Sequence, residues 1–465
     1  MDINPAHNQS VEDLDRDNIF HPFTSPSGHL NTGPRIMTSG AGVRVTDNRG
    51  NTFIDGLAGL WCVNVGYGRQ EIVDAIADQA ARLPYYHSFA SMGTEPSAFT
   101  ADTIRRMAPG NMARVLFGCS GSDANDTQVK LVWYFNNLMG RPQKKKIIAR
   151  NRAYHGVTVA SGSLTGLAPV HAAFDLPLPQ VVRVRCPHHY HEAEQGESEE
   201  AFADRLVAEL EATIVAEGPE TVAAFIAEPV MGAGGVVVPP PGYFPKVKAV
   251  LEKYDILFIA DEVICGFGRL GTPFGCDYFG VEPDMISVAK GITSGYQPLS
   301  AVLVGEKVWA AVRDKSDHLG VFAHGYTYTA HPIACAAANA NLAIMERENL
   351  FANAGAVGAY FQEQLRARLG DHDHVGEIRG IGLIAGVELV RNRATSQNFA
   401  ASEGIGKAFA AAALENGLIV RAMLNDSIAM SPPLILTRDD ADAIVERFAA
   451  ALHAISPQLS SAAGA

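Results

Sequence analysis

The chain has 465 residues, 47% of them hydrophobic, which is ample for a large buried core and for about three structural units. A formal net charge of −13, with no basic run longer than Lys144-Lys145-Lys146, excludes a nucleic-acid backbone as partner. No apolar run approaches the roughly 18 residues that span a bilayer, and the start is polar and acidic, so no membrane partner is expected and the cytoplasm is the expected address.

Residues 43 to 55, VRVTDNRGNTFID, alternate apolar and polar side chains around a turn, which predicts a hairpin inside an N-terminal segment of residues 1–70. Seven apolar runs follow between residues 71 and 330: RVLFG, KIIAR, VVRVR, VAAFIAE, ILFIADEV, MISVAK and SAVLVG. Helical or irregular connections separate them. That alternation predicts an α/β fold with a mostly parallel central sheet flanked by helices. The pattern changes over 331–465, where an Ala-rich helical stretch from Pro332 precedes GIGLIAGVELV, GLIVRAM and SIAMSPPLIL and a second Ala-rich helix over 439–454. These read as a smaller α+β lobe, with the closing SPQLSSAAGA expected to fray. The cysteines, Cys62, Cys119, Cys186, Cys265, Cys276 and Cys335, form no C-x-x-C pair and read as small buried hydrophobes rather than disulfides or zinc ligands.

Several strand ends carry chemistry. Cys119-Ser120-Gly121-Ser122-Asp123-Ala124-Asn125 follows RVLFG and opens a helix, so backbone N–H groups and hydroxyls converge where the helix dipole favours an anion such as phosphate. The plainer reading is a capped helix start with Ser122 or Asp123 at the N-cap. Tyr154-His155-Gly156 follows KIIAR and offers a ring either to a flat ligand or to the core. The run over 256–260 ends in Asp261-Glu262-Val263, a carboxylate where a buried strand meets the ligand crevice of an α/β sheet. The run over 285–288 ends in Ala289-Lys290-Gly291, an opposite charge with a flexible glycine behind it. A buried structural ion pair accounts for Asp261 and Lys290 as well as catalysis does. His324-Gly325-Tyr326-Thr327-Tyr328 adds a hydroxyl in an aromatic-rich loop before His331-Pro332. Cys186-Pro187-His188-His189-Tyr190-His191 reads as a solvated loop, and the acids from Glu192 to Glu200 as a surface face, so no metal is assigned.

The order SGSDAN, YHG, DEV, Lys290 and GYTY-x-x-HP resembles class III aminotransferases of pyridoxal-phosphate (PLP) fold type I. The resemblance runs from His21-Pro22-Phe23 and GLWCVNVGYG to SPPL, and the GLWC and KLVWYFNN segments resemble the ω-amino acid and amine:pyruvate branch. It implies a smaller lobe built from both chain ends, and a homodimer with shared active sites or a tetramer. The implied reaction moves an amino group from an amine or ω-amino acid to pyruvate or a similar 2-oxo acid by a ping-pong mechanism.

Lys290 is implied to carry PLP as a Schiff base and to move the proton, and Asp261 to pair with the protonated ring nitrogen. Ser120, Gly121 and Ser122 are implied at the phosphate, joined by Thr327 of the neighbouring subunit. Tyr154 and Val263 are implied on the two ring faces, with His155 and Glu228 in the same cofactor site. Phe23, Trp61, Phe89 and Tyr154 are implied around the donor, Ala233 where relatives carry Glu, and Arg421 as a mobile guanidinium for a substrate carboxylate. Gly232, Gly234 and Gly235 are implied to let the backbone approach the cofactor. Asp123 and Thr329-Ala330 depart from the more usual Glu and Ser-Gly. Two other functions fit the scaffold: a different class III reaction, such as an aminomutase, a racemase or a decarboxylating transaminase, and a catalytically silent homodimer.

Overall fold

The computed structural model describes residues 9–463; residues 1–8 of the polar start, with Gly464 and Ala465, lie outside them. The predicted hairpin is present as β2 (Arg44–Asp47) and β3 (Thr52–Asp55), paired antiparallel with Val45 opposite Phe53. A strand the sequence did not announce, β1 (Met37–Ala41), adds to β2. Its residues, MTSGA, are mostly exposed, so no apolar alternation marked it.

The seven apolar runs form one seven-stranded sheet. Its strands are β4 (Met112–Gly118), β5 (Lys146–Arg150), β6 (Val181–Val184), β7 (Val222–Ala227), β8 (Leu257–Asp261), β9 (Met285–Val288) and β10 (Ser300–Gly305), in the order β4-β10-β9-β8-β7-β5-β6. β10 runs antiparallel to both neighbours, while the other pairs are parallel. Every residue of β7, β8, β9 and β10 is buried, as expected of strands covered on both faces. The pleat divides β5 accordingly: Ile147 and Ala149 pack towards helices Gly121–Leu138 and Glu306–Lys315, and Ile148 towards helices Glu199–Glu217 and Tyr243–Lys253.

The C-terminal region supplies β11 (Val375–Ile381), β12 (Ile384–Leu389), β13 (Leu418–Ile419), β14 (Arg421–Ala422) and β15 (Ser427–Met430). An antiparallel sheet forms in the order β11-β12-β15-β14, while β13 pairs in parallel with β3, Leu418 opposite Ile54. The two chain ends therefore share one sheet. The closing segment is helical over Ser456–Ala463 instead of frayed, because Ile455 and Leu459 are buried in the core. No helix among the described residues is long and apolar enough to cross a membrane.

The solvated loop expected at His188 to His191 is overturned. His188 is 2% exposed, lying 2.9 Å from Glu377 and 3.0 Å from Arg152, and His191 bonds the buried Glu388. Arg379 closes this knot, donating to Glu377, Glu388 at 2.8 Å, Ser427 and the Gly235 carbonyl. Local polarity hid the arrangement, since the acids and guanidinia that bury these imidazoles come from distant segments.

Candidate active site

The C-terminal ends of β4, β5, β7, β8 and β9 open onto one cavity of about 700 Å³. An α/β sheet exposes its strand ends there while its flanks stay packed, so the cavity walls are the loops that follow the strands. Ser120, Gly121, Ser122, Tyr154, His155, Glu228, Asp261, Val263 and Lys290 all line it, together with Phe23, Trp61, Ala233 and Arg421. Phe89 and Thr327 do not line the cavity of their own chain. Phe89 is 49% exposed, and the Thr327 carbonyl accepts a 2.7 Å hydrogen bond from Tyr85.

At the end of β4 the helix Gly121–Leu138 begins. Ser120, not Ser122 or Asp123, is its N-cap: Ser120 Oγ accepts from the Asp123 N–H at 3.2 Å and the Asp123 carboxylate accepts from the Ser120 N–H at 2.9 Å. Asp123 is thereby absorbed into the cap, which leaves Gly121 and Ser122 to present the positive end of the helix to the cavity. Gly121 is needed for contact: a Cβ there would stand 3.1 Å from the Val263 methyl groups.

Asp261 ends β8. Its Oδ2 accepts from Asn125 Nδ2 and from His155 Nδ1, both at 2.8 Å, and its Oδ1 accepts from the Val263 N–H at 3.2 Å. Burial pushes the Asp261 carboxyl upward, but these donors outweigh it and hold the group below its ordinary value. The acid is thus kept ionised inside the protein. Its partners are His155 and Asn125, and among the described residues it forms no salt bridge with Lys290, so the structural ion-pair reading fails. Among the described residues, His155 Nε2 is buried without a hydrogen-bond partner.

Lys290 follows β9 with a left-handed backbone, φ 46°, as do Trp61 at 57° and Phe23 at 52°. Such conformations are costly for side-chain-bearing residues and gather where a scaffold holds functional groups in place. Burial pulls the Lys290 ammonium below its ordinary value, with Asp261 acting in the opposite sense. Gly291 is packed rather than flexible, because a Cβ would stand 2.5 Å from the Asn64 amide. Glu228 accepts from the Tyr154 and Gly232 N–H groups, each at 3.0 Å, and burial, reinforced by Asp261, pushes its carboxyl up. Gly234 and Gly235 approach protein, not the cavity: a Cβ on Gly234 would meet the Arg152 carbonyl at 2.6 Å, and one on Gly235 would meet Arg152 and Arg379, whereas one on Gly232 would meet Ile264 and Trp61, which line the cavity.

Arg421 on β14 is half-buried, with its guanidinium carbon 5.7 Å from the Trp61 ring centre. Among the described residues it enters no salt bridge. Asn125 escaped the sequence reading although it stands within SGSDAN. It is 1% exposed and ties the His155 carbonyl to Asp261; the available signal was an amide among the inward-facing positions of a helix. The whole can hold a planar ligand with an anionic tail at the helix start and a positive ring atom at Asp261, beside an amine and opposite a free guanidinium.

The sequence pattern of the class-III aminotransferase family matches residues 25–452. The chain is 47% identical over 452 residues to the diaminobutyrate–2-oxoglutarate transaminase of Halomonas elongata, covering 96% of each chain. It is 46% identical over 453 residues to the mitochondrial gamma aminobutyrate transaminase 1 of Solanum lycopersicum, covering 97% of this chain and 87% of that one. The crystal structure of the omega transaminase from Pseudomonas jessenii in complex with PMP matches with a TM-score of 0.95 at 47% identity, over 97% of this chain and 99% of that one. The sheet and its covering helices are those of PLP fold type I. The chain belongs to the class-III aminotransferases, enzymes that transfer amino groups.

Proposed function

We propose that the protein uses PLP to move an amino group from an amine or ω-amino acid donor to pyruvate or a similar 2-oxo acid, in a ping-pong cycle. The observation that carries this reading is Arg421, a half-buried guanidinium in the cavity wall with no acid partner among the described residues. A cavity that holds an unpaired cation is built for a carboxylate.

The residues fit PLP. Asp261, held ionised by His155 and Asn125, suits a protonated ring nitrogen, and the start of helix Gly121–Leu138, with Ser120, Gly121 and Ser122, suits the phosphate. Tyr154 and Val263 would enclose the ring, and His155 and Glu228 hold Asp261 and the Tyr154 backbone in place. When bound, the cofactor supplies an electron sink for charge that develops on the carbon bearing the amino group. Lys290, whose ammonium burial makes more acidic, is the nucleophile and proton carrier. Phe23, Trp61 and Tyr154 receive the apolar body of the donor.

Arg421 forks onto the carboxylate of the 2-oxo acid. Ala233 offers it no internal anion, so with an uncharged donor it moves aside, and its place over Trp61 gives it a cation–π resting site. Thr327 and Phe89 serve the cavity of a second copy in a homodimer. This reading is supported by their absence from the lining of their own cavity and by the exposed aromatic residues Tyr85, Tyr86, Phe322 and Tyr328 near them in the chain.

A donor screen tests the proposal. Simple amines, diamines and ω-amino acids are each supplied with pyruvate or with 2-oxoglutarate, the acceptor that the name of the Halomonas relative carries. Alanine formation from pyruvate is expected. Glutamate from 2-oxoglutarate with no alanine from any donor would overturn the acceptor assignment.

A further inference from the structure

Two groups of metal-ligating side chains stand out among the described residues, and they differ in what their donor atoms already hold. At His188, His191 and Glu388 the donors are engaged: His188 lies between Arg152 and Glu377, His191 bonds Glu388, and the Arg379 guanidinium covers the second Glu388 oxygen at 2.8 Å. An added cation would compete with two fixed positive charges.

Asp15, His21 and His29 present the opposite case. Helix Val11–Asn18 carries Asp15, helix Pro26–Thr32 carries His29, and His21 lies on the chain between them. Both imidazoles converge on one carboxylate oxygen. His21 Nε2 is 2.7 Å from Asp15 Oδ1, whereas His29 Nε2 is 3.7 Å from that same atom, beyond hydrogen-bond reach. The His29 side chain is only 10% exposed, and among the described residues its Nε2 has no hydrogen-bond partner. A buried nitrogen left in that state costs free energy and calls for an explanation.

A divalent cation supplies one. The three donor atoms lie within 4.8 Å of one another. Ligands about 2.0–2.1 Å from a tetrahedral zinc ion stand roughly 3.4 Å apart, between the two separations measured here. Glu12, Asp13 and Asp17 share the first helix with Asp15 against a single base, Arg16, whose guanidinium is engaged by Asp13 at 3.0 Å. The local field therefore favours positive charge.

We propose that Asp15, His21 and His29 form a binding site for a divalent transition metal of the zinc type, with a fourth position open to water. The metal joins the two N-terminal helices and fixes the chain two residues before Phe23, which lines the catalytic cavity with a left-handed backbone. These ligands are spread over two helices and the link between them and match none of the short zinc spacings, so no sequence motif announces a metal.

The test uses the full-length, PLP-loaded protein, treated with EDTA, dialysed and titrated with Co²⁺ or Zn²⁺. One ion per chain is expected to bind, with the visible absorption of tetrahedral Co²⁺, bleached on adding Zn²⁺. His29→Gln should weaken binding by more than about tenfold, the scale that even an outer-shell loss costs. His191→Ala should leave it unchanged. The thermal midpoint of His29→Gln in EDTA should match that of the parent; if it does not, Asp15→Asn carries the same comparison. Absence of saturable binding in the parent overturns the proposal, as does binding that survives His29→Gln or is lost in His191→Ala.

Discussion

Two clusters of buried charge meet at the loop between Met231 and Val237, and they are built on opposite plans. On one side Arg379 spans Glu377, Glu388, Ser427 and the Gly235 carbonyl, while Arg152 reaches His188 and the Gly234 carbonyl, so each cation is matched by acceptors. On the other, Glu228 takes the Gly232 N–H and Asp261 accepts two hydrogen bonds on Oδ2 but a single one, at 3.2 Å, on Oδ1, which leaves it acceptor capacity at the cavity; Lys290 and Arg421 face the same cavity, and among the described residues neither enters a salt bridge. Burial alone does not distinguish a structural charge from a functional one. The distinction is whether the charge is satisfied by the chain or left for a ligand, since an unpaired buried charge persists only where something repays its desolvation.

That contrast can be broken by mutation. The largest effect is expected on the open side: Lys290→Ala should keep its fold and lose turnover by about 10⁴-fold, the upper end of what positioned proton transfer contributes. Steady-state rates with a fixed donor check this, and substantial turnover would remove Lys290 from the chemistry. Arg379→Met addresses the closed side. It leaves Glu377 and Glu388 without their shared cation, so denaturant unfolding should show a loss of about 3–5 kcal/mol. A stability equal to the parent's would mean the knot is not a structural pairing.

Asp261→Asn sharpens the comparison, because it removes a charge assigned to the cofactor although His155, Asn125 and the Val263 N–H already donate to it. A fall of about 10²–10³-fold in the rate of the first half-reaction, with unfolding little changed, is expected. A further effect is expected in acid. Burial opposes ionisation of Glu388, but the His191 hydrogen bond and the Arg379 charge outweigh it and hold its carboxyl down to about 2. A depressed carboxyl contributes stability that is fully present above its ordinary value, near 4.5, and is lost as pH falls from there through about 2. Unfolding followed across that window should show a fall in stability that Glu388→Gln flattens.

The seven strands of the large sheet were legible because most of them are covered on both faces, which writes continuous apolar runs into the sequence. β1 was not, since an exposed strand of small polar residues has no pattern to read. Asp261 and Lys290 stood out as ionisable residues directly after buried runs. Asn125 did not, because its role depends on His155 and Asp261 approaching from two other strand ends. The knot at His188 and the Asp15, His21 and His29 group were illegible for the same reason: the partners that change a polar stretch into a buried one lie on separate elements. Short-range pattern records what a segment wants to bury, and long-range pairing records what it is buried against.

The central claim, that the unpaired guanidinium of Arg421 awaits a substrate carboxylate, is tested by measuring the two half-reactions separately in the PLP-loaded Arg421→Ala protein. Losing a charged hydrogen-bond pair of about 1.5–3 kcal/mol should weaken pyruvate roughly ten- to hundredfold in the second half-reaction. The first half-reaction with a carboxylate-free amine should proceed nearly as in the parent. An equal loss in both half-reactions, or none in the pyruvate step, would contradict the account.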